Sequence, residues 1–104
     1  MGLFSKKPET RASKALALIS QAKDLLEKEK DSETEVKLRE IVSQLNGTQP
    51  GEMASTLLAR IVKMQASPGP PPVEAFKSFE RTQMKLSLGN LSLAVMGDKT
   101  LEED

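Results

Sequence analysis

The sequence predicts an all-α fold, a small helical bundle of three to four helices. Aromatic residues are scarce, since Phe4, Phe76 and Phe79 are the only ones among 104 residues, and a core of leucine, isoleucine, valine, methionine and alanine suits helices better than a β-sandwich. Apolar residues also recur at spacings of three to four, as they do along one face of a helix. Glycine and proline break the pattern near residues 47–50 and 67–72, so separate helices are expected on either side of these breaks.

The first helix is expected from Glu9 to Lys30, after a flexible basic tip over residues 1–8. Pro8 suits the entry of a helix because its fixed φ is already helical and the missing amide would have no partner there. Five residues at helical spacing give this segment an apolar stripe that can face a core. They are Leu16, Leu18, Ile19, Leu25 and Leu26.

A second helix is predicted to begin at Ser32, because Ser32 and Glu35 match a capping box in which each side chain binds a free backbone amide. This helix ends at Gly47, which can adopt the left-handed conformation of a C-terminal cap. Pro50 then opens a third helix that runs to about Ala66. Only four residues of turn separate the two helices, so we expect them to pack as an antiparallel hairpin.

The region after the third helix divides into three segments. Residues 67–72 contain four prolines, which fix φ and remove amide donors, so we interpret this segment as a stiff linker rather than as a polyproline ligand. The linker separates the three-helix unit, residues 9–66, from a long helix at residues 73–97. This helix is therefore free to dock on its own chain or on a neighbouring copy. An acidic tail follows at residues 98–104.

Residues 84–96 have an alternative interpretation, a C-terminal β-hairpin. Gly89-Asn90 is a two-residue turn signal, and leucine alternates with serine on both sides of it. The helix is favoured because leucine, methionine, lysine and alanine are helix formers and Val95 is the one β-branched residue in this stretch. In either structure Ser87, Gly89, Asn90 and Ser92 form a small polar interruption, which within a helix would permit the close approach of another backbone.

The composition argues against an enzyme. The chain has no histidine, cysteine, tryptophan or tyrosine, so it lacks side chains that titrate near neutrality and nitrogen or sulfur ligands for zinc. Carboxylates cluster between Glu27 and Glu35, but without the spacing and the turn glycine of a calcium loop. We therefore expect no catalytic residues, no metal site and no cofactor, and a role in binding or assembly instead.

The basic tip is a candidate membrane contact. A short apolar wedge followed by lysines can enter an anionic lipid surface, where each cation adds about 1 kcal/mol of binding free energy. No stretch has the apolar length that spanning a bilayer requires, and lysines interrupt the tip before a signal-peptide core could form. The sequence thus predicts a cytoplasmic protein with possible membrane association. The predicted contact residues are Gly2, Leu3, Phe4, Lys6 and Lys7.

This tip resembles the start of ESCRT-III membrane-remodelling subunits and of some viral matrix proteins, which open with a short Gly/Leu/Phe segment and then basic residues. The resemblance covers seven residues and implies membrane recruitment through the tip. It does not extend further, because ESCRT-III cores begin with a long basic helical hairpin, whereas residues 15–52 here carry five basic residues against eight acidic ones. Acylation of Gly2 is not specified either, since the myristoylation pattern requires serine or threonine where Lys6 stands.

A basic stripe is the second candidate site. Lys77, Arg81 and Lys85 are spaced four apart and share one side of a helix, and Arg60 and Lys63 would join them if the third and fourth helices are neighbours. Such a stripe could follow a phosphate backbone, so an RNA-binding helical dimer is the alternative function. The absence of interleaved aromatic residues and the net charge of zero favour a solvated face instead.

Self-association through the long helix is the leading prediction, with a protein partner that is a second copy of the chain. Charge alternates along the sequence between net basic and net acidic segments, which favours either attraction within one molecule or contact between copies. The apolar residues predicted to mediate self-association are Phe76, Phe79, Leu86 and Leu93, with Met84, Leu88, Leu91 and Val95 beside them on the same helix.

Overall fold

The computed structural model describes residues 10–66 and 73–102, which form four α-helices and a short 3₁₀ helix. The helices are α1 (Arg11–Glu27), α2 (Asp31–Gln44), α3 (Gln49–Ala66) and α4 (Val73–Gly97), and the 3₁₀ helix is Lys99–Glu102. The described residues contain no strand. The predicted all-α bundle is therefore confirmed, whereas the alternative hairpin at residues 84–96 is wrong, because Gly89 and Asn90 continue the helix.

The helices enclose one apolar core. α1 packs against α2 and α4, and α3 packs against the same two helices. The long helix thus docks on its own chain, although the linker at residues 67–72 lies outside the described residues. The largest fully buried side chains are Ile19, Leu26, Leu38, Ile41, Leu45, Ile61, Met64, Met84, Leu88, Leu91, Val95 and Leu101.

Several predicted helix bounds differ from the structure. α2 ends at Gln44 rather than at Gly47, although Gly47 does adopt a left-handed backbone with φ 83°. α1 ends at Glu27 rather than at Lys30, because Glu29 adopts a left-handed backbone with φ 60°. The predicted capping box does not form either: α2 begins at Asp31, and no side chain caps its first turn. The Ser32 hydroxyl instead donates to the Gln65 side chain of α3 at 3.0 Å. Ser32 is already helical, whereas a capping residue must lie just outside the helix.

The connection between α2 and α3 is as short as predicted, with four residues between Gln44 and Gln49. The Thr48 hydroxyl accepts from the Gly51 amide at 3.1 Å and donates to the Leu45 carbonyl at 2.6 Å. Gly51 itself touches the end of α2, since a Cβ atom there would overlap the Leu45 carbonyl oxygen. The α2–α3 junction therefore requires a glycine at this position.

The segment predicted as an acidic tail contributes to the core. Leu101 is fully buried, and the 3₁₀ helix that carries it packs against α1. Its turn is held by Asp98, whose carboxylate accepts from the Thr100 amide at 3.0 Å and from the Thr100 hydroxyl at 2.6 Å. A single leucine among charged residues gives no periodic signal, which is why the sequence did not predict this contact.

The substitution Gly51→Ala should lower the free energy of unfolding by about 1–3 kcal/mol, because the added methyl group would overlap a backbone oxygen that cannot move alone. Gly89→Ala in α4 is the matched control, since no atom lies within 4 Å of its added Cβ. This control should raise stability by about 0.5–1 kcal/mol, because alanine is the better helix former. Urea unfolding at low protein concentration measures both, and effects of the same sign would contradict the packing described here.

Candidate interaction surface on helix α4

Helix α4 carries apolar residues on two opposite sides. Successive residues turn by about 100°, so Leu86 and Leu88 point roughly 200° apart around the helix axis. The inner side, with Met84, Leu88 and Leu91 at its centre, is buried against the bundle. Five large apolar side chains on the other side are between 45% and 66% exposed, and we call them the outer face. They are Phe76, Phe79, Leu86, Leu93 and Met96.

The outer face is long and almost free of charge. Residues 86–97 contain no lysine, arginine, aspartate or glutamate, although Leu86, Asn90, Leu93 and Met96 are exposed. The face extends for about 30 Å from Phe76 to Met96, from the rise of 1.5 Å per residue. Exposed apolar patches of this kind on soluble proteins mark contacts with a protein or with a membrane.

The four residues predicted to mediate self-association all lie on this outer face. The sequence placed them on the same helix as Met84, Leu88, Leu91 and Val95 without separating the two sets, whereas the structure puts the second set in the core. Met96 was not among the residues predicted to mediate self-association. The uncharged run over residues 86–97 is the signal that could have indicated it.

A buried ion pair anchors the inner side of α4. Arg81 is only 8% exposed, and its guanidinium donates from Nε to Asp31 Oδ1 at 2.9 Å and from Nη2 to Asp31 Oδ2 at 2.8 Å. Glu29 lies 4.0 Å from the same guanidinium. A bidentate pair of this kind fixes the direction of both side chains as well as their separation. It therefore ties α4 to the start of α2.

Two further ion pairs flank this anchor. Lys85 Nζ donates to both Glu27 carboxylate oxygens, at 3.0 and 3.2 Å. Arg60 of α3 donates to Glu80 of α4 at 2.9 Å. Both pairs are partly exposed, so each contributes modestly to stability and mainly helps to fix how α4 lies on the bundle.

The predicted basic stripe is not a continuous solvated face. Arg81, Lys85 and Arg60 form the ion pairs just described, while Lys63 is exposed and Lys77 is partly exposed. Expecting Arg81 on a solvated face was wrong, because its side chain is buried and binds the partly buried Asp31. Neutralised cations offer little attraction to a phosphate backbone, so this geometry does not favour nucleic-acid binding.

The acidic cluster between Glu27 and Glu35 supplies the partners of Arg81 and Lys85. Glu27 and Asp31 contact α4, and Glu35 contacts Arg39 at 2.6 Å and the Gln65 amide of α3 at 2.6 Å. The hydrogen bond from Arg39 is the main cause that lowers the pKa of Glu35, with a smaller contribution from Gln65 and an opposing one from burial. In the described part of the chain, no group of three or more acidic residues is arranged to hold a metal ion.

A groove between α3 and α4 lies beside the outer face. It has a volume of about 250 Å³ and is lined by Arg60, Lys63, Met64, Phe76 and Glu80. Phe76 therefore belongs to both the groove and the outer face. The polar groups Arg60 and Glu80 bind each other across it at 2.9 Å, which leaves no set of polar side chains converging on a small ligand there.

The predicted membrane-contact residues of the tip, Gly2, Leu3, Phe4, Lys6 and Lys7, lie outside the described residues. Within residues 10–66 and 73–102, none of the helices combines the length and the apolar character needed to cross a bilayer. Comparisons of the chain with models of protein families, with curated proteins and with solved structures found no match.

The substitution Asp31→Asn should lower the free energy of unfolding by about 3 kcal/mol, because it leaves the buried charge of Arg81 without its bidentate partner. Asp24→Asn is the matched control. Asp24 pairs with Lys28 at 3.0 Å on the exposed side of α1, and losing such a pair costs about 0.5 kcal/mol or less. Chemical denaturation compares the two variants. Similar losses for both would show that the Arg81 pair does not anchor α4.

Proposed function

We propose that this protein is a non-enzymatic assembly protein that associates with other copies of itself through the outer face of α4. The observation that supports this proposal is the exposure of five large apolar side chains along a helix face almost free of charge. A monomer would leave this surface in water at a cost in free energy, and the core does not need it, because α4 is already anchored by its inner side.

The size of the surface fits reversible association. Burying one of these half-exposed side chains contributes on the order of 1 kcal/mol of favourable free energy. A contact between two copies would bury ten such side chains. The gain of about 10 kcal/mol is of the same order as the cost of association, about 4–15 kcal/mol for lost freedom of motion. We therefore expect the oligomer to form with rising concentration rather than to be permanent.

The charges around α4 support a protein contact over a nucleic-acid or lipid contact at this surface. A helix that lies in an anionic membrane surface carries lysine and arginine beside its apolar face. Here Lys85 is paired with Glu27 and Arg81 with Asp31, so two of the three cations of α4 that could attract lipid phosphates are already neutralised. A partner that is itself apolar and uncharged is the better complement.

Membrane recruitment, where it occurs, is assigned to the tip rather than to α4. The sequence of the tip supports this assignment, since Leu3 and Phe4 precede Lys6 and Lys7. A peripheral contact of this kind would hold the bundle at a cytoplasmic membrane surface while α4 remains available to neighbouring copies. Raising the local concentration at a surface would favour assembly of the copies.

The double substitution Leu86→Glu and Leu93→Glu should abolish self-association, because burying two carboxylates at the centre of the contact carries a large desolvation cost. Sedimentation equilibrium across a range of concentrations measures this effect. The unmodified chain should exceed its monomer mass of 11.4 kDa as concentration rises, whereas the double variant should remain at that mass. The helical circular dichroism of the variant should be unchanged, since both side chains are solvent-exposed.

Val36→Glu provides the matched control for this experiment. Val36 is an exposed apolar residue on α2, at 54% exposure, and it lies away from the outer face. This variant should associate like the unmodified chain. An unmodified chain that stays at 11.4 kDa throughout, or a double variant that associates like the control, would refute the proposed surface.

Deleting residues 2–7 should abolish flotation with liposomes that contain anionic lipid. The oligomeric state of the protein should not change. The deletion removes the apolar wedge together with Lys6 and Lys7, which are the groups expected to contact lipid. Neutral liposomes at the same salt concentration are the control. Binding that persists without residues 2–7 would refute the role of the tip.

A further inference from the structure

The outer face of α4 has a symmetric spacing. Leu86 lies at its centre, with Phe79 and Leu93 seven residues to either side, and Phe76 and Met96 ten residues to either side. We infer that the occupant of this face is α4 of a second copy, packed antiparallel, with a two-fold axis beside Leu86. This inference rests on the proposed function and specifies the geometry of the assembly.

Symmetric spacing is what a two-fold contact between identical surfaces requires. In such a contact, residue i of one copy meets residue j of the other, and residue j meets residue i in return. About a centre at Leu86, Phe79 meets Leu93 of the second copy and Phe76 meets Met96. The second of these contacts places a thioether against an aromatic ring, which is a favourable pair.

The distribution of bulk along α4 favours the antiparallel over the parallel arrangement. The N-terminal half of the outer side carries the large residues Phe76, Phe79 and Gln83, whereas the C-terminal half includes Gly89 and Gly97. About the centre at Leu86, an antiparallel pair sets Gln83 opposite Gly89, so a large residue meets a small one at this position. A parallel pair would set phenylalanine against phenylalanine and glycine against glycine, which leaves a gap at the centre of the contact.

Gly89 is otherwise unexplained by the fold of one molecule. Its backbone has no left-handed φ, and a Cβ atom would meet nothing within 4 Å. Glycine inside a helix costs about 1 kcal/mol of stability relative to alanine. A close approach by the α4 helix of a second copy accounts for a small residue at this position.

The helix dipoles and the charges near the end of α4 also favour the antiparallel arrangement. Antiparallel neighbours place the positive end of one helix dipole beside the negative end of the other. Residues 98–104 carry four acidic residues and one basic residue, so two of these segments would repel each other if the helices ran parallel.

The orientation can be tested by crosslinking single-cysteine variants, since the chain contains no cysteine. Ala75 and Gly97 are both exposed, lie eleven residues from Leu86 on either side, and leave all five apolar residues of the outer face in place. The variants Ala75→Cys and Gly97→Cys are prepared separately, one with a tag that changes its size. Each is treated with a short bismaleimide crosslinker alone and then as a mixture.

The antiparallel arrangement predicts a crosslinked product in the mixture and none from either variant alone, because two copies of position 75 would lie about 33 Å apart along the axis. Crosslinking of each variant to itself would overturn the antiparallel orientation and leave self-association intact. Absence of all crosslinks in a protein that sedimentation shows to be oligomeric would refute both the orientation and the outer face as the contact. A purely monomeric protein would refute the proposed function together with this inference.

Discussion

The buried ion pair between Arg81 and Asp31 sets which side of α4 faces the core. Both sides of this helix carry leucine and methionine, so hydrophobic burial alone does not distinguish them. Rotating α4 by half a turn would bury Phe79, Leu86 and Leu93 in place of the inner residues, but it would leave the guanidinium of Arg81 without Asp31. A buried pair of this kind adds little net stability, since desolvation opposes attraction. Instead, the ion pair favours the observed orientation of α4 over the orientation rotated by half a turn.

The charge pattern of the sequence follows from the same contact. The net acidic region at residues 15–52 supplies Glu27 and Asp31, and the net basic region at residues 53–97 supplies Lys85 and Arg81. The charge alternation therefore reflects attraction within one molecule at this point. Its consequence for function is indirect. Because Arg81 and Lys85 bind Asp31 and Glu27, neither cation lies on the outer face of α4.

Much of the fold could be predicted from the sequence, because regular apolar spacing indicates each helix and proline or glycine marks several of the helix ends. The bounds of α4, Val73–Gly97, match the prediction, since proline precedes the helix and glycine ends it. The absence of the capping box at Ser32 could not be predicted from the neighbouring residues. α2 begins at Asp31, which binds Arg81 fifty residues away. The burial of Arg81 and Leu101 also depends on tertiary contacts. Helical spacing can show that α4 has apolar residues on more than one side, but it cannot show which side is covered.

The orientation of α4 determines which side chains form the outer face, and thiol labelling tests this orientation. Leu86→Cys and Leu88→Cys differ by two residues in a chain that otherwise lacks cysteine, yet Leu86 is 62% exposed and Leu88 is 1% exposed. At a protein concentration that keeps the chain monomeric, the thiol at position 86 should react as fast as one in an unfolded peptide. The thiol at position 88 should react roughly a hundredfold more slowly, because labelling requires local opening of a few kcal/mol. Equal rates, or faster labelling at position 88, would contradict the orientation and with it the outer face.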